Sequence, residues 1–324
     1  MASKTNFGPS KGGESTRIGV AGASGKLGNL VLEDLLKVLP PEQLVAIVRS
    51  PEKAARFASQ GVQVRRGDYS DRETLFPALA GVKRLLLISA TDLGRRVEQH
   101  RAVIGAAKAT GVVHIVYTSV LRADTSTLPI AAEHQETEDL LRASGLTFTI
   151  LRNGWYIENY TERLEMSLAH GGFIGAAQNG KIAAATRQDY AEAAVAVLTH
   201  GGHEGKTYEL AGDYSFTMND LAEAVSGWAG KPLPYSDLLQ SEYRKILSST
   251  GLPEAIVDLL IATDVAIARG DLDSNSRDLH NLIGRNTQTL REVLTGLPEP
   301  LAQGSGSQEQ SGAALWTCRR ARSR

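Results

Sequence analysis

From Arg17 onward, short apolar runs alternate with stretches whose apolar residues recur at helical spacing. The runs fall at residues 18–21, 44–48, 62–65, 84–88, 112–117 and 147–151. Helical patterns at 27–39, 51–59, 71–80, 95–110 and about 130–144 lie between them. The runs do not alternate with polar residues, which is the pattern of strands buried on both faces. Strands that alternate with helices form right-handed crossovers and a parallel sheet. The expected fold class is therefore α/β, a Rossmann-type doubly wound parallel sheet. Local turn chemistry agrees. Ser70 and Glu73 have the spacing of a capping box for the third helix. Gly111 and Gly145 stand where a helix must end before the next strand.

Beyond Leu151 the pattern loosens. Gly171, Gly172, Gly175 and Gly180 cluster, and then come a helix at 189–199 and a strand at 207–210. Further helices are expected at 218–228, 242–248, 253–268 and 287–294. We read a Rossmann domain at 17–155 and a smaller α+β C-terminal lobe at 156–301 that holds the substrate. The lobe need not be contiguous, because a chain often returns to add a strand to its first sheet. Residues 1–16 and 302–324 read as a disordered leader and tail. Their Gly, Ser and Gln content cannot bury enough apolar surface to offset the entropy of ordering.

Composition narrows the function classes. The 324 residues are 42% hydrophobic, enough for a sizeable core, and the net charge of −1 gives no field that recruits nucleic acid or anionic lipid. Cys318 is the single cysteine, so no internal disulfide and no cysteine-based zinc site can form. The chain suits a reducing cytoplasm. Its first residues lack the apolar stretch of a signal peptide, and no apolar run approaches the roughly 20 residues that span a bilayer. Asp271, Asp273 and Asn275 hint at a calcium loop, but Ser276 stands where glycine is needed and Leu282 where glutamate is needed. No metal is expected.

The strongest local signal is Gly22-Ala23-Ser24-Gly25-Lys26-Leu27-Gly28, directly after the first strand and opening the first helix. Gly22 permits the tight turn, Gly25 the approach of a pyrophosphate, and Gly28 close helix packing. The helix N-terminus offers N–H groups and a positive dipole end to the anion. A Walker P-loop is excluded by Val20 and Leu27, which replace its glycine and its Ser or Thr. The second strand ends in Val48-Arg49, where an NAD-preferring site places a carboxylate on the ribose. A guanidinium there suits a 2′-phosphate instead, so NADPH is the expected cofactor. Lys26 can add a second positive charge. Asp68 can accept from the adenine amine or serve the turn before the third helix. Ser89, Ala90 and Thr91 end the fourth strand at the carboxyl edge, where open α/β sheets bind ligands.

The Tyr-x-x-x-Lys pair used by many reductases on this scaffold is missing: no tyrosine has lysine four residues later. Tyr117-Thr118-Ser119 keeps a serine at the expected place, and the next helix carries Glu133-His134. The set Gly22-Ala23-Ser24-Gly25, Ile47-Val48-Arg49, Leu86-Leu87-Ile88-Ser89, Glu133-His134 and Leu151-Arg152-Asn153-Gly154-Trp155-Tyr156, continued by Glu158-Asn159-Tyr160, resembles the NmrA-like atypical short-chain dehydrogenases. Within that family the pattern is most similar to the type-2 NAD(P)H:quinone oxidoreductases. The similarity runs from about Arg17 to Leu297. It implies NADPH extended along the sheet edge, with Thr118 and Ser119 beside it. It also implies that Asn153, Gly154, Trp155, Tyr156, Ile157, Glu158 and Asn159 line the nicotinamide and acceptor side. Asn153 and Tyr156 are then the expected catalytic residues, by an amide that binds an oxygen and an aromatic face that stacks on a flat acceptor. Trp155 and Tyr156 can equally be core aromatics. His134 is either a proton donor or a structural histidine. The implied partner is a small quinone, and a homodimer is one assembly left open. The same family contains non-enzymatic NADP-binding sensors, a second reading that loss of the catalytic pair also fits. A sugar-nucleotide epimerase fits less well, because that chemistry leans on the absent tyrosine.

Overall fold

The computed structural model describes residues 16–298. All but the last residue of the expected leader, and the whole expected tail with Cys318, lie outside the described residues. In chain order the elements begin β1 (Arg17–Ala21), α1 (Lys26–Val38), β2 (Leu44–Val48), α2 (Ala55–Ala58) and β3 (Gln63–Arg66). They continue α3 (Arg72–Leu79), β4 (Val82–Leu87), α4 (Arg96–Ala109), β5 (His114–Val120), α5 (Ala131–Ala143) and β6 (Thr147–Asn153). Then come α6 (Glu158–Thr161), α7 (Leu164–His170), β7 (Phe173–Gly175), α8 (Arg187–Thr199), β8 (Thr207–Leu210) and α9 (Met218–Ala229). The series ends with β9 (Tyr235–Asp237), α10 (Gln240–Ser249), α11 (Glu254–Ala268), α12 (Asp278–Ile283) and α13 (Leu290–Thr295).

One compact unit holds the chain up to 159, together with 183–215 and 274–288. Its sheet has the order β3-β2-β1-β4-β5-β6-β8. Every neighbouring pair is parallel. The order reverses between β1 and β4, which opens a crevice at the carboxyl ends of those strands. Both faces are covered, as the unbroken apolar strands require. One core gathers Val31, Leu32 and Leu35 of α1 with Ala194 and Val197 of α8. The other gathers Leu75, Leu79, Val103 and Leu141 from α3, α4 and α5.

A single cut near residue 155 does not describe this packing. The strand at 207–210 returns to pair with β6, from Ile150–Thr207 to Asn153–Leu210. It satisfies an edge whose N–H and C=O groups would otherwise stay open. Helix α8 returns with it and lays Ala191, Ala194 and Val197 into the first core. The expected capping box at Ser70 and Glu73 does not form. Asp71 takes the N-cap position without a side-chain cap. The Ser70 N–H donates instead to Asp68 Oδ1 at 2.9 Å, so the aspartate spends this oxygen on the turn. Gly111 and Gly145 do adopt the left-handed conformation that ends α4 and α5, at φ +79° and +76°.

A second unit comprises 160–182, 216–273 and the chain from 289. It is α+β, with β7 paired to β9 in parallel. Tyr243, Leu247, Val257 and Ile261 form its core. Among the described residues no helix is long and apolar enough to cross a membrane.

Candidate active site and cofactor cleft

The loop after β1 is shaped by three glycines. Gly22 sits at φ +80°, a conformation that disfavours any side chain. Its N–H donates to Ile47 O at 3.1 Å, which ties the loop to β2. Gly28, in the first turn of α1, has no room for a side chain: an added Cβ would stand 2.5 Å from Gly22 O and 2.7 Å from Ala23 Cα. The helix therefore starts hard against the loop, with its N-terminus at the cleft. Gly22, Ser24, Gly25, Lys26, Leu27 and Gly28 all line a cleft of about 690 Å³. Ala23 does not. It is fully buried, and its N–H is spent on Ile47 O at 3.3 Å.

At the end of β2 the cleft is bordered by Arg49, and Lys53 joins it from the turn that follows. Lys26, Arg49 and Lys53 are all exposed and bring three cations to one stretch of wall. Lys53 is a site residue that the sequence reading missed, although it lies one turn past Arg49. Asp68 also lines the cleft. So do Ser89, Ala90 and Thr91 after β4, and Thr118 and Ser119 in β5. Their positions are locked. Ser89 N–H donates to Thr118 Oγ1 at 3.0 Å, and Ala90 N–H to His100 Nε2 at 2.9 Å. Arg96 grips Ala90 O through Nε at 2.8 Å and Glu133 at 2.6 Å.

Ser119 donates its hydroxyl to Glu138 at 2.7 Å. Glu138 is fully buried and receives Arg152 twice, at 2.9 and 2.8 Å. Arg152 reaches on to Glu209 at 2.7 Å and Asp124 at 3.0 Å. This charged cluster underlies the end of β6, next to Asn153.

The segment after β6 supplies the far end of the cleft. Asn153, Gly154, Trp155, Tyr156 and Asn159 line it. Gly154 admits no side chain, because a Cβ would stand 2.9 Å from the Tyr190 hydroxyl and 3.0 Å from Leu210 O. Asn153 is 4% exposed, and neither atom of its amide has a hydrogen-bond partner within the protein. The Tyr156 phenol is raised above its ordinary pKa, first by burial, while Asn153 and the Arg187 charge pull the other way. Tyr156 packs edge-on to Tyr190 at 5.3 Å, and the Arg187 guanidinium lies 4.9 Å above its ring. Ile157 and Glu158 stay out of the cleft wall. Ile157 is buried, and Glu158 accepts the Arg187 N–H at 2.8 Å. Arg187, absent from the sequence reading, lines the cleft and donates to Asn159 Oδ1 at 3.3 Å. Its local signal was legible: Thr186 and Asp189 form a true capping box, which starts α8 at Arg187.

His134 also lines the cleft, bound to the Tyr117 hydroxyl at 2.8 Å. Burial drives its pKa well below the ordinary value, and the Arg96 charge adds to the effect. His100 behind it falls to about 3 for the same two reasons. Both imidazoles are neutral at pH 7, which makes His134 a poor proton donor. The folded protein binds no proton here while the unfolded chain does below about pH 6.5, so this stability is present at neutral pH and lost as pH falls. Imidazole resonances of His100 and His134 should remain those of the neutral form down to pH 5.5, and an imidazolium at pH 6 would contradict the geometry. Among the described residues no group of His, Cys, Asp and Glu can hold a metal ion.

The NAD(P)H-binding family matches residues 22–201. Quinone oxidoreductase 2 of Escherichia coli (strain K12) is 50% identical over 280 residues, or 86% of this chain and 98% of that protein. The crystal structure of an NADPH-dependent quinone oxidoreductase from Escherichia coli, complexed with NADPH, has a TM-score of 0.83 at 50% identity. It covers 86% of this chain and 98% of that one. The Citrobacter sp. triphenylmethane reductase complexed with NADP(H) has a TM-score of 0.82 at 37% identity, over 87% of this chain and 100% of that one. The chain belongs to the NAD(P)H-binding family and is a relative of quinone oxidoreductase 2 of Escherichia coli.

Proposed function

We propose that the protein is an NADPH-dependent oxidoreductase that transfers hydride to a small quinone. The observation that carries the reading is one continuous cleft with two chemically distinct ends. Cations and a glycine loop stand at β1 and β2, and an unpartnered buried amide stands at β6. β2 and β6 are separated by β1, β4 and β5, a span of roughly 19 Å at about 4.8 Å per strand. An extended dinucleotide fits that span. The bound NADPH structure of the Escherichia coli relative supports the same cofactor here.

Ser24 to Gly28 would hold the pyrophosphate at the start of α1, and Arg49 with Lys26 and Lys53 the 2′-phosphate. Asn153 is placed to hydrogen-bond a carboxamide or a quinone oxygen, and Tyr156 offers a flat face. Bound NADPH supplies the hydride. The residues supply position rather than acid: His134 is neutral, and the Ser119 hydroxyl already donates its hydrogen bond to Glu138. A quinone tolerates this, because the hydroquinone anion is delocalised and solvent can deliver its proton. The reading places the reaction in the cytoplasm, where reduced cofactor is regenerated. Oxidation of NADPH by a panel of quinones tests it. No turnover with any quinone, despite tight NADPH binding, would favour the sensor reading.

Cofactor choice follows from Arg49. NADPH should bind more tightly than NADH, and Arg49→Glu should remove most of that preference, since a carboxylate repels the phosphate and accepts from a ribose hydroxyl. Titration calorimetry on both proteins with both cofactors checks this. Equal affinities in the unmutated protein would contradict it.

A further inference from the structure

Gln99, in the first turn of α4, is 4% exposed and lines the cleft. Its amide orientation is fixed from one side. Nε2 donates to Ser70 Oγ at 2.9 Å and to Asp92 Oδ2 at 2.8 Å. Reversing the amide would set an oxygen against the Asp92 carboxylate, so Oε1 must be the other atom. That Oε1 is buried and has no hydrogen-bond partner within the protein. An acceptor without a donor is costly in a buried wall. The cost makes sense at a site built to meet a donor on a ligand.

Its neighbours along the wall indicate which part of the ligand that is. Arg49 and Lys53 mark the phosphorylated ribose at the end of β2, and the base on that ribose must lie close by. Asp68 follows β3 and Ala90 follows β4, and Gln99 contacts the Ser70 turn next to the first and Asp92 next to the second. Asp68 Oδ1 is already engaged by Ser70 N–H. We propose that Gln99 Oε1 accepts from the exocyclic amine of the cofactor's adenine and makes the site selective for an amino-bearing purine over an oxo-bearing one. This deepens the NADPH reading above and rests on it.

The probe is reduced nicotinamide hypoxanthine dinucleotide phosphate, in which the exocyclic amine becomes a carbonyl and the adjacent ring nitrogen gains a hydrogen, while the phosphates and riboses stay the same. Calorimetric Kd values for it and for NADPH are measured on the unmutated protein, on Gln99→Leu and on Gln99→Met. The unmutated protein should bind the hypoxanthine form roughly 10- to 100-fold more weakly, the effect of facing one acceptor with another. Both variants should lose most of that ratio while keeping the preference for NADPH over NADH that Arg49 sets. Two variants of different shape guard against a local folding defect, and the unmutated arm stands without either. Equal affinity of the unmutated protein for the two bases overturns the proposal. So does a ratio retained in Gln99→Leu and Gln99→Met, which would assign the amine to another acceptor such as Asp68. Absence of any NADPH binding would instead overturn the cofactor reading, and this inference with it.

Discussion

Arg152→Met should destabilise the protein by about 3 kcal/mol or more, measured by denaturant unfolding. Arg152 is 5% exposed and holds the fully buried Glu138 with two hydrogen bonds. Removing it leaves a carboxylate in the interior with Ser119 and the half-exposed Arg142 as its remaining partners. Breaking a buried pair on one side costs about 3–5 kcal/mol, because the surviving charge has lost its solvation and its partner. The lower end applies, since the Glu209 and Asp124 side chains that Arg152 also binds reach solvent and can rehydrate. Adding Glu138→Leu should recover part of the loss, because the stranded charge is then gone. A single variant within about 1 kcal/mol of the unmutated protein would show that the cluster is far better hydrated than its burial indicates.

Asn153→Ala should lower quinone turnover by about 100-fold while changing the NADPH dissociation constant little. Its amide is buried, unpartnered and set in the cleft, so its contribution lies in the geometry of donor and acceptor rather than in cofactor affinity. Under the proposed reading, that affinity comes from phosphate contacts near Gly25 and Arg49. Tyr156→Ala should behave in the same way. Tyr156→Phe keeps the ring under Arg187 and should retain most activity if the face, not the hydroxyl, is what matters. His134→Ala serves as the comparison and should matter less, its imidazole being neutral. Single-turnover kinetics with calorimetry on the same proteins separates these terms. An inactive His134→Ala beside a normal Tyr156→Ala would mean histidine-assisted reduction and a displaced acceptor site.

Much of the cleft was legible residue by residue. The glycine loop and Arg49 follow each other at spacings that local backbone chemistry dictates, so they were visible without a fold. The carboxyl-edge residues Ser89, Thr118 and Ser119 were visible because a parallel sheet puts every such strand end on one side. The lining departs from the expected set where an atom's partner, not its place in the chain, decides where it faces. Ala23 sits inside the loop yet spends its N–H on β2, and Ile157 and Glu158 turn into the protein within a segment whose neighbours face the cleft.

The alternation of unbroken apolar runs with helical patterns indicated by itself a parallel α/β sheet, and the glycine spacing after the first strand indicated where α1 begins. These follow from side-chain periodicity and from handedness, which act over a few tens of residues. Only the tertiary structure decided what non-local pairing controls. The Tyr156–Ala185 bridge brings Arg187 to a site some 30 residues away in sequence, and β8 returns to close the β6 edge. The three-dimensional packing of Ser70 and Asp92 around Gln99 leaves one amide oxygen without a partner. Burial and hydrogen-bond satisfaction belong to all the elements that meet at a point, and no window of sequence contains them.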